Sequence, residues 1–424
     1  MKRFLLISKD IKKDSYLWNM LGSMLTAFQS VIMLMILTRT LGLTDAGIFT
    51  IAYANANLFL TIGKYGMRYY QVSDVKHQFS FKEYKASRIV SCIAMILISA
   101  LYILITGSQN NYSAEKSLII LCMCVFKMID AIEDVYIAMY QQEGRLDVGS
   151  KVMTVRIFFT LCVFSFSLLL LKNLLNALIV STVFTIICLI LLLFLTNQPF
   201  KKQERNLRFQ NVSCLLRVCF PLCISAFLSF YIGNAPKYAI DAQLNDTLQA
   251  CYGFISMPVF VIGLLNNFIF NPIITKMSIL WSHKCYKEFI KKVAFQVLVI
   301  AAITLICVIG AYLLGVPVLS ILYNTDLSDY KTELIVLLVG GGFLGLSGFL
   351  TTVITIMRIQ RTLILGYGSV AVLAYFLSPI LVANYEMMGA AYGYLLLMIL
   401  FSGFFVLIAS LKIRLKLKEL SVKV

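Results

Sequence analysis

Four ionisable residues share one apolar stretch of this sequence: Lys127, Asp130, Glu133 and Asp134, between Ser117 and Tyr140. An ionised group near the middle of a membrane span costs roughly 2.5–3.5 kcal/mol on insertion scales, so it is kept for ion pathways, substrate contacts or helix pairing. At about 100° per residue, Asp130 and Asp134 fall within about 60° of Lys127 on one helical face. The spacing of three pairs Lys127 with Asp130 one turn away, and Asp134 continues the same stripe. Glu133 lies to one side. Arg156 stands a few residues inside the next apolar stretch. Its depth makes it the expected partner of Glu133 and Asp134. Two readings stay open. The charges glue two helices together, or they form the polar wall of a water-filled cavity that binds a coupling ion or a polar substrate. In the second reading a change of protonation at Asp130 would couple transport to an ion.

The elements that must hold these residues are membrane spans. The chain has 424 residues, of which 60% are hydrophobic and only 13% charged, whereas soluble domains carry about a quarter charged. The formal net charge of +17 does not indicate nucleic acid, because Lys and Arg fall in short clusters between apolar stretches of span length. Most of the 11 cysteines lie within apolar runs, and His77 and His283 lie in loops. No metal site or cofactor is expected from them. Phe4-Leu5-Leu6-Ile7 is too short for a signal-peptide core, so no cleaved signal is expected.

About twelve spans are expected: 15–37, 46–62, 89–106, 117–140, 152–171, 176–196, 214–235, 249–275, 293–314, 332–357, 363–383 and 389–411. The segments on one side of this plan, with 141–156 and 197–217 counted through the first residues of the spans they enter, hold 31 of the 37 basic residues, and those on the other hold five, with Lys127 deep inside a span. This bias puts both termini in the cytoplasm of a multi-pass protein of the cytoplasmic membrane. The charged, helix-breaking stretch 197–213 divides the chain into two six-helix bundles, 1–200 and 201–424, arranged as parallel repeats. The loops between spans are too short for a soluble catalytic domain, and no enzyme activity is expected.

Two segments suit the membrane surface. Phe4, Ile7 and Ile11 would share one face of an N-terminal helix, opposite Lys2, Lys9, Lys12 and Lys13. Segment 64–88 mixes six basic residues with Tyr65, Tyr69, Tyr70, Phe79, Phe81 and Tyr84, a composition that suits anionic headgroups or plain topology anchoring. Asn19, Asn55, Asn57, Asn266, Asn267 and Asn271 are polar groups inside spans. Pro221, Pro258, Pro272 and Pro379 are expected kinks. Gly340-Gly341-Gly342 reads as a close-packing site.

Three segments carry a family resemblance: Arg39-Thr-Leu-Gly-Leu-Thr-Asp45-Ala-Gly-Ile-Phe49, Ile62-Gly63-Lys64-Tyr65-Gly66-Met67-Arg68-Tyr69-Tyr70-Gln71-Val72-Ser73-Asp74, and Asn234-Ala235-Pro236-Lys237-Tyr238-Ala239-Ile240-Asp241. They resemble the polysaccharide-transporter branch of the multidrug/oligosaccharidyl-lipid/polysaccharide flippase superfamily, the O-antigen and capsular repeat-unit flippases. The resemblance implies a V-shaped pair of six-helix bundles working by alternating access. It implies a lipid-linked oligosaccharide on undecaprenyl pyrophosphate as cargo, and a monomer that meets membrane lipids and the polymerase and glycosyltransferases of its pathway. Arg39, Arg68 and Lys237 match basic positions of the family-like segments and are expected to contact substrate. Lys127 is a fourth candidate, and Asp130, Asp134 and Asp241 are candidates for ion coupling. A cation-coupled drug exporter of the same superfamily and a membrane-embedded polymerase or glycosyltransferase are the alternatives.

Overall fold

The computed structural model describes residues 2–74, 77–200, 207–357, 359 and 361–421, and among them every regular element is a helix. The first half runs α1 (Lys2–Leu6), α2 (Ile11–Leu41), α3 (Leu43–Lys64), α4 (Met67–Ser73), α5 (Phe81–Gln109), α6 (Ala114–Gln142), α7 (Leu146–Leu171) and α8 (Leu174–Asn197). The second runs α9 (Phe209–Gln243), α10 (Asp246–Ser282), α11 (Tyr286–Gly310), α12 (Val316–Tyr323), α13 (Lys331–Ile356) and α14 (Arg361–Ser421). Nine helical runs are long and apolar enough to cross a membrane among the residues searched. The 29-residue α6 falls outside that set because of its charges, and α10 because part of its length is not fully described. Glu386 breaks α14 in a non-helical conformation, so it makes two passes where one is counted. With α6, α10 and that extra pass the described residues supply the expected twelve.

Local chemistry sets the ends. Asp10 caps α2 by accepting from the Lys12 and Lys13 amides, satisfying donors that have no partner within the helix. Gly42, at φ +94, turns α2 into α3 without a loop, a conformation glycine adopts without strain. Ser80 and Glu83 form a reciprocal capping box at the start of α5. Between spans eleven and twelve the chain doubles back so tightly that a Cβ on Gly389 would overlap the Leu381 carbonyl.

The structure corrects several expected boundaries. The expected outer segment 315–331 begins as helix, because a π-helical turn at Ala311–Gly315 joins α11 to α12. Lys237 and Asp241, expected where the seventh span exits into a loop, lie inside α9, which continues to Gln243. Phe4, Ile7 and Ile11 do not share one helix, since α1 ends at Leu6 and α2 starts at Ile11. Leu5 is the fully buried residue there, in a cluster with Ile129, Val152, Leu189 and Leu192. Among the expected kinks, Pro379 lies inside α14, but the break in that helix is at Glu386. Lys76 and the expected boundary at 200/201 touch segments outside the described residues, as do the side chains of Asn266, Asn267, Asn271 and Pro272.

The chain forms two compact units, Met1–Phe230 and Tyr231–Val424, and the division between them falls within the sequence of α9. The first part of α9 belongs to the earlier unit because Leu215 and Cys219 are buried with Met67, Tyr84, Tyr136 and Tyr140. In the first unit α6 is central and packs against α3, α4, α5, α7 and α8, while α2 pairs with α7. In the second unit α13 is central, against α10, α11 and α14. Its triple glycine is a packing site. A Cβ on Gly340 would lie 2.7 Å from the Tyr394 ring, on Gly341 2.9 Å from Val259, and on Gly342 2.5 Å from Thr304. Three successive glycines thus admit three neighbouring helices.

Candidate functional site

The first unit holds a buried charge network built on α6. Placing charged residues there requires partners on every side, because an uncompensated charge in the interior costs several kcal/mol. Lys127 donates from Nζ to Asp130 Oδ2 at 3.1 Å and to Gln29 Oε1 of α2 at 2.8 Å. Its ammonium also lies 4.6 Å from the centroid of the Tyr53 ring of α3, a favourable place for a cation. The expected pairing of Lys127 with Asp130 is therefore present.

Arg156 enters from α7 and spans two carboxylates. Its Nε and Nη2 donate to Glu133 at 2.9 and 2.7 Å, and Nη2 also reaches Asp130 Oδ1 at 2.7 Å. The planar guanidinium suits this fork in a way that a lysine would not. Expectation and structure part at Asp134. It does not pair with Arg156. Its Oδ2 accepts from Arg88 Nη2 of α5 at 2.9 Å, and its Oδ1 lies 3.5 Å from Arg68 Nη1 of α4. Asp130 and Glu133 already occupy the Arg156 fork, and Asp134 is directed towards α4 and α5.

Arg88, Ser91 and Gln71 are site residues that sequence reasoning missed. Arg88 is fully buried. Its Nη1 donates to the Gly63 carbonyl at 2.7 Å, and the Ser91 hydroxyl donates to the same oxygen. Gln71 donates to the Val135 carbonyl at 3.3 Å. In the sequence Arg88 is one of the six basic residues of segment 64–88. The capping box at Ser80 and Glu83 is a sequence signal that starts α5 at Phe81 and carries Arg88 two turns into it. Gln29 carried no comparable signal.

The family-like segment 62–74 has a structural explanation here. Tyr65 and Gly66 both have positive φ, 53° and 64°, and they separate α3 from α4. A Cβ on Gly66 would lie 2.6 Å from Leu222 Cβ, and one on Gly63 would lie 2.7 Å from Met95 Sδ. The turn sets Arg68 against Asp134 and Gln141, the latter at 3.0 Å. Lys64 ends α3 half-buried, at the start of this turn. Four cations, Arg68, Arg88, Lys127 and Arg156, therefore meet three carboxylates.

The other candidates do not join this network. Arg39 is exposed at the end of α2, about 15 Å of helix rise beyond Gln29. Lys237 and Asp241 lie on α9 in the second unit, Lys237 half-buried and without a polar partner among the described residues. Asn57 donates to the Tyr53 carbonyl of its own helix. Asn55 is buried, and its Oδ1 has no partner among the described residues.

Comparison with known proteins adds a family and a fold. The family described as "polysaccharide biosynthesis protein" matches residues 13–278. A lipid II flippase MurJ in an inward closed conformation aligns with a TM-score of 0.70 at 13% identity, covering 92% of this chain and 87% of that one. An inward-facing multidrug resistance MATE family transporter of the MOP superfamily gives 0.67 at 12% identity, covering 92% and 96%. The eukaryotic MATE transporter AtDTX14 gives 0.60 at 14% identity, covering 96% and 99%. These likenesses identify a multi-pass membrane transporter fold. The curated protein sequences contain no match.

Proposed function

The chain belongs to the polysaccharide biosynthesis protein family, and from that premise we propose that it is a flippase for lipid-linked oligosaccharides. Its cargo would be repeat units on undecaprenyl pyrophosphate, carried from the cytoplasmic to the outer leaflet for assembly into surface polysaccharide. The observation that carries this reading is the net positive charge network around α6. Arg68, Arg88, Lys127 and Arg156 outnumber Asp130, Glu133 and Asp134. A sugar headgroup on a pyrophosphate cannot cross hydrocarbon unaided, and its negative charge needs cations within the transporter.

The same geometry weighs against export of cationic drugs by this unit. Such cargo calls for carboxylates open to it, and each α6 carboxylate already has a cation within 3.1 Å. Lys237 of α9 is the family-like cation of the second unit. Two bundles working by alternating access, with both termini in the cytoplasm, complete the proposal. Asp130, held between Lys127 and Arg156, is poorly placed for a proton-coupling role. Asp134, held by Arg88 and Arg68, is no better placed, and Asp241 keeps that role in the proposal.

Deletion in the native host tests the reading. The strain is expected to accumulate lipid-linked repeat units facing the cytoplasm and to lose surface polymer. Normal surface polymer, in a strain with no second flippase, would refute it.

A further inference from the structure

The N-terminal segment carries charge that the α6 network does not use. Lys2, Arg3, Lys9, Lys12 and Lys13 are all exposed, and none has a carboxylate within ion-pair distance among the described residues. The two acidic residues of the segment are engaged elsewhere. Asp10 caps α2, and Asp14 lies 3.8 Å from Lys151 of α7. Phe4, Ile7, Ile11 and Tyr16 are exposed among these cations.

The segment is nevertheless fixed in place. Leu5 is buried with Ile129, Val152, Leu189 and Leu192. Arg145 donates to the Leu6 carbonyl, and Lys151 donates to the Ile7 carbonyl at 3.3 Å and to the Ser8 hydroxyl at 2.8 Å. That hydroxyl donates in turn to Asp147 at 2.6 Å. The Phe4 ring meets Trp18 edge-on at 5.4 Å, which folds the segment back on the first turns of α2. Topology needs only the number of basic residues near a span. A clamp of this kind holds them in one arrangement.

The arrangement continues along α2. At about 100° per residue, Lys13, Leu17, Leu21 and Met24 fall on one stripe, and all four are exposed. Lys12 and Tyr16 run beside it. Asp14 and Trp18 lie on the other side, towards Lys151 and Thr154 of α7. From Lys13 to Met24 the helix rises about 16 Å, about half of a ~30 Å hydrocarbon core. The surface therefore offers cations at its edge and apolar side chains over the depth of one leaflet.

We propose that the N-terminal segment and this stripe of α2 form a docking surface for an anionic phospholipid such as phosphatidylglycerol. Lys9, Lys12 and Lys13 meet the headgroup, and Leu17, Leu21 and Met24 lie along an acyl chain. A zwitterionic lipid has the same chains but brings no net charge to the five cations. The lipid is a component of the bilayer and not the cargo, so the surface does not depend on the flippase reading.

The chain has two tryptophans, and Trp281→Phe leaves Trp18 as a fluorescent reporter beside this surface. The full-length Trp281→Phe protein is placed in nanodiscs of phosphatidylcholine with a minor share of phosphatidylglycerol. Quenching brominated chains are carried by the phosphatidylglycerol, or by an equal share of the phosphatidylcholine. Brominated phosphatidylglycerol is expected to quench Trp18 about 3- to 5-fold more strongly. Raising the salt to about 0.5 M should remove most of that preference. K9Q/K12Q/K13Q should bring the two lipids within about 1.5-fold of each other. Ser8→Ala keeps every charge and loosens the clamp, and should lower the preference by about twofold. Equal quenching by the two lipids in the unmutated segment overturns the proposal, and so does a preference that survives K9Q/K12Q/K13Q. An undiminished preference in Ser8→Ala would make the lysines topology charges alone and overturn the preformed surface. Relief of the quenching by undecaprenyl pyrophosphate at an equal share would place the segment on the cargo's route and overturn the phospholipid assignment.

Discussion

Arg156 of α7 holds Glu133 of α6 in a two-pronged grip, Nε to Oε1 at 2.9 Å and Nη2 to Oε2 at 2.7 Å. Both side chains are almost wholly buried. The same Nη2 reaches Asp130 at 2.7 Å, so one guanidinium ties together two carboxylates three residues apart. It fastens α7 to the central helix of its unit.

That grip makes Arg156→Met a stability variant. It strands Glu133 without a counterion, and breaking a buried pair from one side costs about 3–5 kcal/mol. The purified protein should unfold at a clearly lower temperature in detergent. A double variant, Arg156→Met with Glu133→Leu, should regain much of the loss, because no unpaired charge remains on that prong. An unchanged unfolding temperature for the single variant would contradict the assignment.

Lys127 separates function from folding. Its Nζ bridges Gln29 and Asp130, and Asp130 keeps Arg156 when Lys127 is removed. Lys127→Ala should therefore accumulate in the membrane near the wild-type level while surface polysaccharide is lost. Immunoblotting of membranes alongside polymer staining reads both. Normal polymer in this variant would remove Lys127 from the transport machinery.

Part of this network was legible in the sequence. Lys127 and Asp130 are three residues apart, and helical geometry brings such residues together. Arg156 and Glu133 could be matched by depth in adjacent spans. Asp134 could not be placed that way, because its partners Arg88 and Arg68 come from a segment that read as loop. The missing step was the Ser80–Glu83 capping box, which extends α5 back to Phe81. The left-handed turn at Tyr65 and Gly66 depends on packing against Leu222, a contact 156 positions away in sequence that no local pattern specifies. Most of the twelve spans were legible because length and hydropathy select them, whereas α6 had to be read as a span despite its charges. The split of the chain within α9 depends on the tertiary burial of Leu215 and Cys219.

Gly342 is expected to tolerate no side chain. A Cβ there would lie 2.5 Å from both the Thr304 Oγ1 and Cγ2 atoms. Gly342→Ala should lower stability by about 1–3 kcal/mol. Thr304→Ala in the same chain should restore much of it, since the two nearest atoms are removed. Equal unfolding temperatures for wild type and Gly342→Ala would show that α11 and α13 are not in close contact there.

The N-terminal segment makes a sharper contrast. Leu5 is fully buried, whereas Ile7 is 64% exposed. Around them Arg145 donates to the Leu6 carbonyl at 2.5 Å, and Ser8 donates to Asp147 at 2.6 Å. Leu5→Ala should cost about 2–5 kcal/mol, while Ile7→Ala should leave detergent stability close to wild type. Thermal unfolding of the two variants side by side decides this, and equal losses would contradict the buried anchor.

The most direct measurement of the central claim is transbilayer movement in proteoliposomes. The purified protein is reconstituted with fluorescent undecaprenyl-pyrophosphate-linked oligosaccharide, and an impermeant enzyme reports how much headgroup is accessible outside. The account predicts that wild type exposes lipid trapped on the inner leaflet and that Lys127→Ala does not. Identical accessibility in wild type, Lys127→Ala and protein-free liposomes would contradict it.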